Sequence, residues 1–95
     1  MKSKENVERK YKEILESLKS QRDELKLKLH LANMEVLEEW KVVEDKWESL
    51  IARGAQLEKE VGGAAHELGD TAGKIGQEIK NSYKRIRKLI DDNKL

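Results

Sequence analysis

The sequence predicts an all-α protein: a long helix and a shorter one, forming a helical hairpin or coiled coil that assembles into an oligomeric bundle. Three observations lead there. An apolar stripe runs at steps of three and four through Val7, Tyr11, Ile14, Leu18, Gln21, Leu25, Leu29, Ala32, Val36, Trp40, Val43, Trp47, Leu50, Gly54, Leu57, Val61, Ala64, Leu68, Ala72, Ile75, Ile79, Tyr83, Ile86 and Ile90. Its mean step is about 3.6 residues, the α-helical repeat. The composition is 41% charged and 37% hydrophobic, without Pro, Cys or Phe, which is the profile of long exposed helices. Finally, no pair of strand-like segments exists to build a sheet.

The first helix is expected over residues 4–61. Within it, "ELKLKLHLAN" (24–33) alternates like a half-buried strand. Leu is a better helix former than strand former, no turn residues bracket the segment, and a lone strand leaves its backbone unpaired. The segment therefore reads as helix with two apolar faces. Leu25 and Leu29 lie on the main stripe; Leu27, Leu31 and Met34 lie at i, i+4 and i+7 on another, and Leu37 and Ile51 widen the stripe. A helix apolar on two sides needs two neighbours, which argues for three or more packed helices. Farther on, Trp40, Trp47, Gly54 and Val61 are spaced by seven, the coiled-coil repeat.

All six Gly fall between 54 and 76, and the adjacent Gly62 and Gly63 mark the break. A second helix follows over about 64–90, and "DDNKL" at the end reads as frayed because acids sit poorly at a helix C-terminus. An alternative division adds a break at Ala32–Asn33, giving helices over 4–31, 34–61 and 64–90. The unbroken phase of the stripe through Asn33 speaks against it.

The same residues narrow the chemistry. Without Cys there is no disulfide, thiolate metal site or thiol nucleophile. His30 and His66 lack ligand spacing, so no metal and no cofactor is expected. Glu38, Glu39, Glu44, Asp45 and Glu48 make the centre acidic, but long helices offer no cleft for acid–base work. Their expected role is a solvated, ion-paired face. An enzyme is not expected. The net charge of +1 names no partner, and nucleic acid is disfavoured because no base-reading motif is present. Lys80, Lys84, Arg85, Arg87 and Lys88 form the basic cluster, opposed by Ile75, Ile79, Tyr83, Ile86 and Ile90. Such a helix suits an anionic lipid surface or simply a charged solvent face. Ala65, Gly69, Ala72, Gly73 and Gly76 align small residues for a close helix–helix approach. "MKSKENVERKYKEIL" has no apolar run after its lysines, so a secretory signal is not expected, and the expected location is cytoplasmic.

Two segments, "MKSKENVERKYKEILESLKSQRDELKLKL" and "GGAAHELGDTAGKIGQEIKNSYKRI", resemble short bacterial coiled-coil proteins, some of them labelled stress-response. "GGAAHELGDTAGKIGQEIK" is also similar to the 11-residue repeats of late-embryogenesis-abundant and apolipoprotein-like helices. The first resemblance implies a helical protein connected with stress; the second implies ordering on drying or on lipid. The two Trp and the double-faced Leu run depart from the Ala-rich repeat pattern. The functional expectation is a non-enzymatic interaction protein that self-associates by helix packing. Its core would be Leu25, Leu29, Val36, Trp40, Val43, Trp47, Leu50 and Leu57. The alternative is a stress-related protein that binds anionic membrane through the second helix.

Overall fold

A computed structural model describes residues 3–59, 63 and 65–92, and every regular element among them is helical. Helix α1 spans Ser3–Lys28, α2 spans Met34–Lys59 and α3 spans Ala65–Asp92; a 3-10 turn, Leu29–Leu31, follows α1. The three helices pack side by side into a rod of 54 × 18 × 16 Å. The all-α expectation therefore holds, with three helices rather than two.

The single helix expected over 4–61 is corrected by a break at Leu29–Asn33. Asn33 causes it. Its Oδ1 accepts a hydrogen bond from Val36 N–H at 3.0 Å, the geometry of an N-cap that satisfies an otherwise open donor in the first turn of α2. Ala32 is extended (φ −83°, ψ 141°), and its N–H donates to Leu29 O at 3.0 Å. His30 Nδ1 lies 2.9 Å from Leu27 O, so a ring protonated at Nδ1 donates to a carbonyl at the end of α1. Of the expected Gly62–Gly63 break, Gly63 forms a bend between α2 and α3. Gly62, Val61 and Ala64 lie outside the described residues, as do 93–95 of the tail expected to fray. Asp91 and Asp92 belong to α3.

The stripe reads out as the core. Leu18, Leu25, Val36, Trp40, Val43, Leu50, Leu57, Ala72, Ile79, Tyr83, Ile86 and Ile90 are buried, and none of its described members is exposed. One chain thus covers its own main stripe. Self-association is not needed for that purpose, because the turn at 29–33 lets α1 fold back and supply the second neighbour.

Cross-helix pairs give the directions. Val7 meets Gly69 and Ile14 meets Gly76, so α1 and α3 run parallel. Tyr11 meets Gly54 and its hydroxyl donates to Leu50 O at 2.9 Å, while Arg22 farther along α1 pairs with Glu44 nearer the start of α2, so α1 and α2 run antiparallel. Helix α3 packs closely along both others, whereas α1 and α2 approach each other less. Missing side chains seat α1 on both of its neighbours. A Cβ on Gly76 would lie 2.8 Å from Ile14 Cγ2, and one on Gly54 or Gly69 would collide with Tyr11 or Val7. The missing side chains are the space those α1 residues occupy.

Candidate functional site

The eight residues expected to form an interaction core pack inside one chain. Leu25, Val36, Trp40, Val43, Leu50 and Leu57 are buried, and Leu29 and Trp47 are half-buried. Trp40 stacks on Tyr83 with centroids 6.0 Å apart and planes 24° from parallel. Trp47 lies under Arg22, whose guanidinium carbon is 5.3 Å from the ring centroid. That guanidinium also grips Glu44 with both arms, Nε to Oε1 at 2.7 Å and Nη2 to Oε2 at 2.8 Å. Arg22 therefore fills the wider gap between α1 and α2 with a planar group that is both ion-paired and stacked. The Glu44 hydrogen bond holds its pKa above the usual arginine value.

This Arg22–Glu44–Trp47 cluster was missed by sequence reasoning. The partners Arg22 and Glu44 are 22 residues apart in the chain and come together only through the turn at Asn33. Their neighbour Tyr83 is fully buried, and its hydroxyl has no hydrogen-bond partner among the described residues. Burial, with the nearby Glu44 carboxylate, drives its pKa well above the ordinary phenol value.

The basic cluster is partly spent inside the molecule. Arg85 pairs with Glu39 at 2.9 Å and Arg87 with Glu24 at 3.5 Å. Lys80, Lys84 and Lys88 are exposed one turn apart along the outer side of α3. The apolar side opposing them is in the core, where Ile79, Tyr83, Ile86 and Ile90 are buried and Ile75 is half-buried. Of the acidic residues, Glu39 and Glu44 make cross-helix ion pairs, while Glu38, Asp45 and Glu48 face solvent. His30 and His66 are exposed and far apart in the chain, and no group of metal-binding side chains forms among the described residues.

Two surface features remain. An open groove of about 560 Å³ runs between α1 and α3, with Val7, Tyr11, Ile14, Ala72 and Gly73 in its wall and Lys10, His66, Asp70 and Lys74 at its rim. The groove is open at Gly73, where a Cβ would meet nothing within 4 Å. The other is the second apolar face. Leu27 is 78% exposed, Leu31 45% and Met34 71%, and Val42, two turns beyond Met34 on the solvent side of α2, is 53% exposed. Val42 was not recognised from the sequence; extending the Leu27, Leu31, Met34 row by four and four again reaches it, with Glu38 between. Leu37 and Ile51 also have exposed side chains.

Among the described residues, no helix is long and apolar enough to cross a membrane. No protein-family model matches the chain, and no curated protein or solved structure matches it either.

Proposed function

We propose that the protein is a non-enzymatic interaction module that works by helix packing and associates with further copies of itself. The observation that carries this reading is the row of Leu27, Leu31, Met34 and Val42, left in water by a chain whose core is already complete. Singly exposed apolar residues are ordinary, but Leu27 and Leu31, four apart before the turn, and Met34 and Val42, eight apart on α2, leave apolar side chains in helical register on each side of it, and such pairs suit another helix. The membrane-surface alternative is supported by exposed Lys80, Lys84 and Lys88. It also requires α3 to withdraw buried Ile79, Tyr83, Ile86 and Ile90 from the core, so the packing reading is preferred.

The test is mass by sedimentation, with thermal melting by far-UV circular dichroism, over about a hundredfold range of protein concentration. Association is expected to raise both the mass and the melting point with concentration. A single-chain mass throughout, with an unchanged melting point, overturns self-association.

A further inference from the structure

We propose that two copies associate by exchanging α1: the turn at Leu29–Asn33 straightens, residues 3–59 become one helix, and each α1 docks on the partner's α2 and α3. The proposal rests on the self-association reading and specifies how it happens.

Four observations carry it. First, the main stripe crosses the turn without losing helical phase, through Leu25, Leu29, Ala32 and Val36 at steps of four, three and four. A hairpin has no need of that continuity, because its two arms are set independently by the turn. Second, the row on the opposite side does the same. Leu27 and Leu31 precede Ala32–Asn33, Met34 and Val42 follow, and they share one face only when the helix runs through.

Third, the turn is close to helix already. It holds neither Gly nor Pro, and no described residue has positive φ. Lys28 is in the right-handed helical region, Leu29–Leu31 form a 3-10 turn, and only Ala32, with ψ at 141°, and the cap residue Asn33 lie outside helix between α1 and α2. Ala is the best helix former. Opposing the change are the Asn33 cap on Val36 N–H and the His30 Nδ1 contact with Leu27 O, while the Ala32 N–H bond to Leu29 O is exchanged for a helical one.

Fourth, the α1 contacts transfer unaltered. Tyr11 with Gly54 and Arg22 with Glu44 each have their sequence midpoint at position 32 or 33, inside the turn itself. Two straightened chains laid antiparallel about a two-fold axis at that point therefore recover the same pairs between copies. Closed-interface contacts that can be remade in trans are what make exchange a low-cost route to a dimer. Mass action then favours the single chain when dilute and the dimer when concentrated.

Two experiments test it on the full chain. Met34→Pro and Met34→Ala both remove the exposed methionine. Pro at this first helical position, behind the Asn33 cap, suits the closed turn but interrupts a continuous helix. The Ala variant is expected to keep the concentration-dependent dimer, and the Pro variant to stay single-chain up to at least tenfold higher concentration, with helicity retained. Loss of the dimer in both variants overturns exchange in favour of docking through the exposed row, and leaves self-association standing.

The second experiment mixes Arg22→Glu with Glu44→Arg after brief unfolding and refolding. Each variant alone brings like charges together. In an exchanged heterodimer both sites carry opposite charges. The new carboxylate of one copy faces the new guanidinium of the other, and the wild-type Arg22–Glu44 pair forms at the second site. A one-to-one heterodimer melting above either variant alone is expected. A mixture that melts as the sum of its components overturns the proposal. Wild-type chain that is monomeric at every concentration overturns both this proposal and the self-association reading.

Discussion

Tyr83 makes the clearest residue-scale case, because its ring and its hydroxyl pull in opposite directions. The ring stacks on Trp40 in the core, while the hydroxyl is buried with no partner among the described residues. An unsatisfied buried hydroxyl costs on the order of 1–3 kcal/mol. Tyr83→Phe keeps the ring and is expected to raise the melting temperature by several degrees, at about 4–8 °C per kcal/mol for a domain of this size. The same residue sets an alkaline limit. Its folded pKa lies above the ordinary value of 10.0, so above pH 10 the unfolded chain sheds a proton that the folded chain retains. Stability is then unaffected below pH 10 and falls as pH rises beyond it. In Tyr83→Phe that fall is expected to be shallower, with the remainder assigned to Tyr11, whose pKa is also raised by burial and by Glu58. Denaturant titrations at several alkaline pH values, with phenolate absorbance as the second probe, measure both effects.

At the scale of the elements, glycine decides how closely the helices meet. Gly54 and Gly73 are both helical, and the Cα faces that would carry a side chain look onto different surroundings. Gly54→Ala forces Tyr11 from its seat and breaks its hydrogen bond to Leu50 O; a loss of about 1–3 kcal/mol is expected, typical of overpacking. Gly73→Ala adds a methyl over the open groove and removes a helix-interior glycine; a gain of about 0.5–1 kcal/mol is expected. Chemical unfolding of the two variants with opposite signs checks the assignment. The sequence marked the small residues of α3 as a close-approach face but did not separate Gly69 and Gly76, which receive Val7 and Ile14, from Gly73, which receives nothing. That distinction depends on the axial register of α1, which no local pattern encodes. The Asn33 break was faint for a related reason. Its third helical position is Val36 rather than the Glu or Gln of a capping box, and Ala32 beside it is a good helix former. The stripe itself was legible because 3.6-residue periodicity is a property of the chain alone.

For the whole molecule, the residues and the topology carried different shares of the information. Which side chains are buried followed from the stripe. Which chain they are buried in did not, because an apolar face accepts a second helix equally well from the same chain or another. The short turn answers this in the folded protein by placing α1 beside α2 and α3. The ion pairs were beyond sequence reasoning too, since Arg22–Glu44, Arg85–Glu39 and Arg87–Glu24 all join separate helices.

Those ion pairs also divide the rod into two unlike ends. Together with Lys46–Glu78, which joins the middle of the rod, every cross-helix ion pair among the described residues lies in the part built from 22–46 and 78–87. The glycine-seated contacts of Val7, Tyr11 and Ile14 lie in the other part. Salt shortens the reach of charges to about 3 Å at 1 M and leaves apolar packing intact or strengthened. One molecule thus carries a gradient of ionic sensitivity along its axis, with the sensitive end at the turn. Raising salt is expected to speed amide hydrogen exchange around residues 22–44 and 85–90 while leaving 7–14, 50–57 and 69–76 as protected as before. A solution condition would then loosen α1 from the end at which it turns, as a zip opens from its slider, while its far end stays seated.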